Sequence, residues 1–317
     1  MLLESLGIIF GLALLVGGAD RFVIGAANIS RNLGIPPMII GLAVVGIVTS
    51  MPEILVGSVA ALDGKTEIAI GNAIGSNIAN LGLVLGLSVL LIPVVVKSQT
   101  LRQEYGLMLI SSLLAIALLI DGDLSRFDAV VLLLALVGFI FWIIQIAKRS
   151  PATDPLTGEV LHELEKKIST RLCLFYLLTG LILLLGGAKL LVNCAVLVAS
   201  QLGISDLVIG LTIIAVGTSL PELAASLASI MKKEADIAVG NVIGSNMFNM
   251  LAVIGVPGLI NPSGFGPDVI FRDFPVMFAM TLLMGWMVFI RRDGKFNRRE
   301  GGFLLLCFIL YQFWLFT

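Results

Sequence analysis

A carboxylate and a proline sit together in the middle of a long apolar run, and the chain does this twice at one fixed offset. Thr49-Ser50-Met51-Pro52-Glu53 recurs as Thr218-Ser219-Leu220-Pro221-Glu222, and 218 − 49 = 169. The same offset carries Gly71-Asn72-Ala73-Ile74-Gly75-Ser76-Asn77 onto Gly240-Asn241-Val242-Ile243-Gly244-Ser245-Asn246, Asn80 onto Asn249, and Pro93 onto Pro262. No gap is needed between these landmarks, which marks an internal duplication. Any fold must therefore be built twice from one plan and must use an acid at the centre of each apolar run.

The chain is 58 % hydrophobic and 13 % charged, with a mean hydropathy of +1.07. Apolar stretches of roughly 20 residues recur throughout, each long enough to cross about 30 Å of hydrocarbon. The expectation is an all-α polytopic membrane protein, with ten spans near 5–28, 37–62, 67–92, 104–121, 126–147, 171–200, 206–231, 236–260, 274–291 and 300–316. Met1-Leu2-Leu3-Glu4-Ser5 lacks a basic region, so the first run reads as a membrane helix and not as a signal peptide. The repeat divides the chain into a five-helix unit at 1–147, a polar linker at 148–170 and a second five-helix unit at 171–317. His162, the sole histidine, lies in that linker and reads as a solvated loop residue. Cys173, Cys194 and Cys307 fall in apolar segments without metal-ligand spacing and read as small buried residues. The composition suits a lipid bilayer, with no nucleic-acid partner and no resident cofactor.

Lysine and arginine orient the spans. With the N-terminus outside, the inner loops hold fifteen of them, among them Arg31, Lys148, Arg149, Lys166, Lys167, Lys232, Lys233 and Arg298. The outer loops hold Lys65, Arg126 and Arg272 alone. Both termini are therefore expected outside. Five spans per half then make the second unit enter from the opposite side, so the two repeats are expected to be inverted. Inverted repeats with interrupted helices are a common secondary-transporter architecture.

Glu53 and Glu222 fall near mid-membrane, where an ionisable group costs about 2.5–3.5 kcal/mol and faces protein or a wet cavity. Pro52 and Pro221 lack an N–H, so the carbonyls of Val48 and Gly217 lose their helical donors. Free carbonyls at that depth survive where they line a cavity. Thr49, Ser50, Thr218 and Ser219 add hydroxyls. Ser76, Asn77, Asn80, Ser245, Asn246 and Asn249 add neutral oxygens, while Gly71, Gly75, Gly240 and Gly244 at i, i+4 spacing let helices approach closely. Two carboxylates with hydroxyl, amide and carbonyl oxygens, and neither imidazole nor thiolate, suit a hard cation such as Ca²⁺. Two negative charges balance one divalent ion or two monovalent ions, which is a physical basis for exchange. The pattern holds no nucleophile and general base beyond the glutamates, so no enzyme is expected. Asp20 and Arg21 lie off-centre in span one, with Lys189 at the position matching Asp20; snorkelling or an ion pair accounts for them. Asp121, Asp123, Asp268 and Asp273 read as solvated loop acids.

Paired Thr-Ser-x-Pro-Glu and Gly-Asn-x-x-Gly-Ser-Asn elements resemble the α-repeats of the cation/calcium exchanger superfamily. The nearest resemblance is to prokaryotic sodium/calcium exchangers, including the YrbG-type branch, over essentially the whole chain. The resemblance implies an antiporter exchanging Ca²⁺ for Na⁺ across a bacterial or archaeal cytoplasmic membrane, as a monomer. It implies that Glu53 and Glu222 are shared ligands, that Thr49, Ser50, Thr218 and Ser219 add oxygens, and that Ser76, Asn80, Ser245 and Asn249 complete sodium sites. Backbone oxygens of Gly46 and Ala215 join the set by the same resemblance, and spans one and six slide against the rest. Val48 stands where the second half has Gly217, and both 80 and 249 are Asn where family members often carry one Asp. These departures leave the stoichiometry open, with coupling to H⁺ or K⁺ as the alternative and a passive cation channel as a further one.

Overall fold

The computed structural model describes residues 2–35, 37–96, 101–149, 168–202, 215–289 and 295–315. The first half forms α1 (Leu2–Leu33), α2 (Pro37–Ile40), α3 (Gly46–Thr49), α4 (Met51–Leu62), α5 (Thr66–Ala79), α6 (Gly86–Leu91), β1 (Val94–Val95), α7 (Leu101–Leu119), β2 (Asp123–Leu124) and α8 (Arg126–Arg149). The second forms α9 (Thr170–Gln201), α10 (Ala215–Thr218), α11 (Leu220–Met231), α12 (Ala235–Phe248), α13 (Gly255–Ile260), β3 (Ser263–Gly264), α14 (Phe274–Phe289), β4 (Lys295–Phe296) and α15 (Arg298–Trp314). π-helical turns join α2 to α3 (Gly41–Val45), α5 to α6 (Asn80–Leu85) and α12 to α13 (Asn249–Val253). Adding 169 to the bounds of α3, α4, α5 and α6 returns those of α10, α11, α12 and α13. The duplication is thus carried into local structure.

The fold is predominantly helical. Among the described residues six helices are long and apolar enough to cross a membrane by length and composition, the longest being Leu3–Leu33. A seventh span arises when Gly41–Thr49 and Met51–Leu62 are taken together, bent by 42°. Helices α7 and α15 overlap the expected spans at 104–121 and 300–316, and α11 falls inside the one at 206–231. At 32 residues each, α1 and α9 exceed their expected lengths; about 48 Å of helix projects beyond a hydrocarbon core or tilts within it. The start of the expected seventh span and most of the linker, His162 included, lie outside the described residues.

Small residues decide how α1 meets α9. A Cβ added at Gly11 would lie 3.0 Å from the Gly187 carbonyl oxygen, one at Gly18 2.9 Å from that of Gly180, and one at Gly25 2.8 Å from that of Cys173. Positions rise along α1 as they fall along α9, so the helices are antiparallel. In lipid, where burying apolar surface gains little, such backbone approach is what holds helices together. Gly180 and Gly187 are the repeats of Gly11 and Gly18, which makes the contact reciprocal, as across a two-fold axis.

A densely buried layer lies beside this pair, with α12 buried without interruption from Ile237 to Phe248. The two halves also exchange strands: β1 pairs with β4 and β2 with β3, both antiparallel. Thr66 Oγ1 donates to Asn261 O (2.6 Å) and Gly266 N to Glu67 Oε1 (2.8 Å), gathering loops that the charge pattern assigns to one side. Asn32 Nδ2 donates to Ile168 O (2.9 Å) and Arg31 pairs with Glu234, gathering loops assigned to the other. One expectation fails here. Asp273 is no solvated loop acid: it is buried, paired with Arg272 (2.7 Å), and accepts from Tyr311 Oη (3.0 Å). The chain turns into α14 beneath α15, and a carboxylate enclosed there requires both partners. Asp20 is ion-paired as expected, with Lys232.

Candidate functional site

The two broken helices come from one local rule. Ser50 leaves helical geometry at φ −83°, ψ 3°, and Ser219 does so at φ −89°, ψ 3°. Each helix restarts one residue later, which puts Pro52 and Pro221 in a first turn. A missing N–H does no harm there, because first-turn N–H groups have no intrahelical acceptor. Glu53 and Glu222 follow in the same turn, where the helix N-terminus favours negative charge. The last carbonyls of α3 and α10 meet each break from the other side.

Glu53 and Glu222 are each 1 % exposed, and Thr49, Ser50, Ser76, Asn80, Ser219, Ser245 and Asn249 are buried with them. Thr218 is half-buried, and Ala215 opens α10. The two carboxylates lie within electrostatic reach of one another, and Thr49 and Ser50 of the first half flank Glu222 of the second. Among the buried side-chain oxygens without a well-formed protein hydrogen bond, six belong to the two repeated motifs: Ser50 Oγ, Glu53 Oε2, Asn80 Oδ1, and Ser219 Oγ, Glu222 Oε2, Asn249 Oδ1. They are three pairs at the repeat offset. One such group costs about 1–3 kcal/mol, so each calls for a partner that the protein itself does not supply. Among the described residues no three His, Cys, Asp or Glu gather, so the charge here is that of two carboxylates, completed by neutral oxygens.

Amide groups hold this arrangement. Asn80 Nδ2 donates to Asn246 Oδ1 and Asn249 Nδ2 to Asn77 Oδ1, both at 3.0 Å. Each bond is the repeat of the other. With its NH₂ engaged across the halves, each of Asn80 and Asn249 keeps Oδ1 unbonded to protein. Asn77 and Asn246, anticipated only as extra oxygens, are therefore the frame on which these side chains are set. Asn72 and Asn241 stand in the duplicated motif but were given no role from the sequence. Asn72 Nδ2 donates to Glu53 O (3.5 Å) and Asn241 Nδ2 to Glu222 O (3.3 Å) and Ser226 Oγ (3.0 Å). Their signal is the equal 19-residue separation from each glutamate within the duplicated motif.

Other expected ligands are engaged with one another. Ser245 Oγ donates to Gly46 O (3.3 Å), and the single proton on Thr49 Oγ1 is shared between Val45 O (3.0 Å) and Asn241 Oδ1 (3.1 Å). The close glycine approach is seen at Gly46 and Gly244: a Cβ on Gly46 would stand 2.9 Å from Ser245 N, and one on Gly244 2.9 Å from the Leu42 carbonyl carbon. Gly71 and Gly75 have no atom of the described residues within 4 Å of such a Cβ. The repeat of Leu42 is Leu211, which lies outside the described residues. Gly240 is buried within α12.

A family model described as sodium/calcium exchanger protein matches residues 4–145 and 172–317. CaxA of Alkalimonas amylolytica is 46 % identical over 320 residues, covering 100 % of both chains. The inner membrane protein YrbG of Escherichia coli is 41 % identical over 318 residues, covering 98 % of each. Among solved structures, the sodium-calcium exchanger NCX_Mj soaked with zero Na⁺ and Ca²⁺ superimposes with a TM-score of 0.86 at 34 % identity, covering 99 % of both chains.

Proposed function

Because this chain belongs to the sodium/calcium exchanger protein family, a family of membrane antiporters, we propose that it exchanges Ca²⁺ for Na⁺ across a bacterial or archaeal cytoplasmic membrane. The observation that carries the reading is the set of six buried oxygens, paired at the repeat offset, that make no well-formed protein hydrogen bond. Glu53 and Glu222 neutralise one Ca²⁺ or two Na⁺. Ser50, Ser219, Asn80 and Asn249 supply neutral oxygens, and Thr49, Thr218, Ser76, Ser245 and the Gly46 and Ala215 carbonyls complete the shell as Na⁺ and Ca²⁺ replace one another. The scaffold is ten spans in two inverted five-helix units, 1–147 and 171–317, joined by a cytoplasmic linker at 148–170, with both termini outside. The antiparallel, reciprocal packing of α1 on α9 supports this inversion. The protein works as a monomer, by alternating access to a mid-membrane site at the four interrupted helices.

A second reading replaces sodium by protons. Two buried carboxylates within electrostatic reach of each other are a place where binding a proton competes with binding a cation. Calcium uptake into proteoliposomes, with membrane potential clamped, separates the readings. An outward Na⁺ gradient is expected to drive uptake; uptake driven by a pH gradient alone would move the assignment to H⁺, and a requirement for K⁺ would add it. Flux that no ion gradient can push uphill would make the protein a channel.

A further inference from the structure

The halves match closely around the candidate site but differ where α1 and α9 meet the rest of the molecule. α1 packs along α11: Leu15, Ala19 and Phe22 share a buried cluster with Ala224 and Ala225. Asp20 forms an ion pair with Lys232 at 2.5 Å across this contact. The duplication calls for an equivalent contact of α9 with α4, and among the described residues none of comparable extent is made. Leu55 and Val56, the repeats of Ala224 and Ala225, are 65 % and 39 % exposed where the alanines are 9 % and 0 %. With Val59, Asp63 and Lys65 they line an open groove of about 440 Å³ beside α4.

The charges decide what fills it. Asp20 repeats as Lys189, since 20 + 169 = 189, and Lys232 is the repeat of Asp63, since 63 + 169 = 232. Both partners invert their sign, so the complementarity survives although neither residue type does. Two independent sign changes that preserve attraction mark these four positions as two versions of one contact. Among the described residues neither Lys189 nor Asp63 has an ion-pair partner. Lys189 is an exposed cation within an otherwise apolar membrane helix, a placement that is costly without a counter-charge.

We propose that Lys189 and Asp63 form the ion pair of a second conformation, in which α9 lies in the α4 groove and the Asp20–Lys232 pair is open. The two pairs are then mutually exclusive latches, one for each end of the transport cycle. The inference rests on the alternating access proposed above, and not on which ions are carried. The positions that repeat the Arg31–Glu234 pair beside the first latch hold a serine at 200 and a lysine at 65, residue types of which only one is charged. The present conformation therefore carries two ion pairs and the second carries one, a bias toward the former.

Cross-linking tests this in the full chain, in proteoliposomes, with Cys173, Cys194 and Cys307 replaced by alanine. One variant carries Asp20→Cys with Lys232→Cys, another Asp63→Cys with Lys189→Cys, and a third all four. A short bifunctional thiol reagent is expected to join each pair, with the two links excluding one another in the four-cysteine chain. Failure of 63 to link to 189 while 20 links to 232, or both links forming in one molecule, would overturn the proposal. The charges are tested separately, in chains that keep Asp20 and Lys232. Asp63→Lys and Lys189→Asp are each expected to slow calcium flux several-fold, and the double exchange to restore it; absence of recovery would also overturn it. Because the links report conformation, they remain readable if sodium coupling proves wrong.

Discussion

Glu53 and Glu222 are each 1 % exposed, and each keeps one carboxylate oxygen without a protein hydrogen bond. Replacing either by glutamine keeps size and one acceptor oxygen but removes half of the charge that balances a divalent ion. Glu53→Gln or Glu222→Gln is expected to reduce calcium uptake to the level of empty liposomes, while the protein still elutes as a monodisperse peak. Uptake at the parent rate would remove these residues from the site. The neighbouring amides play a different part. Asn77 and Asn249 meet in a buried 3.0 Å bond, and a double-mutant cycle with leucine at both positions is expected to give a coupling of about 0.6–2 kcal/mol. Both glutamates and both outer asparagines were legible in the sequence, because an acid or amide in an apolar run at a repeated offset stands out. Which amide hydrogen goes to which oxygen was not legible: Asn80 and Asn246 lie 166 positions apart, and no local pattern encodes that pairing.

At the scale of elements, helix contacts divide into places where a methyl group fits and places where it does not. Gly18 faces the α9 backbone, whereas Gly17 beside it has nothing within 4 Å of an added Cβ. Gly18→Ala is expected to lower stability by about 1–3 kcal/mol through overpacking, and Gly17→Ala to leave it unchanged or raise it by about 0.5–1 kcal/mol. Thermal unfolding in one detergent compares the two, and equal shifts would refute the close approach. The joint between α1 and the α11–α12 turn carries a pH signature. Burial raises the Glu234 carboxyl above its ordinary value of 4.5, Arg31 opposes this and Asp236 adds to it. The folded protein thus holds this proton to higher pH than the unfolded chain does. The contribution to stability is full below about 4.5 and is lost as pH rises through the raised value. The melting temperature of the parent relative to Glu234→Gln is therefore expected to fall as pH increases across that window; a flat difference would show that Glu234 titrates normally. The hydrophobic runs announced most of these helices. An interruption at Pro52 and Pro221 was visible from their missing N–H groups; that the non-helical residues are Ser50 and Ser219 and that Asp273 is buried was not, since one depends on where a restarted helix places its proline and the other on α15 closing over it.

For the whole molecule, the loops gathered by Thr66–Asn261 and by Asn32–Ile168 sort as the lysine and arginine count sorts them. Single cysteines replacing Lys65 and Lys233 are expected to react with an impermeant thiol reagent from opposite faces of a sealed membrane. Reaction from the same face would undo the inverted arrangement. Composition and the 169-residue repeat suffice to establish a helical membrane protein made twice from one plan, because hydrocarbon demands long apolar helices and duplication leaves a register that needs no geometry to read. They also single out the two acids, whose depth alone makes them expensive to keep. Tertiary structure decided what those acids face. Hydrogen-bond partners, glycine contacts and ion pairs between halves are relations between surfaces more than 120 positions apart, set by packing of the finished helices. The asymmetry of α1 and α9 against two nearly equivalent halves is likewise a property of one conformation, and a repeat that reads alike in both halves leaves open which of its two contacts is made.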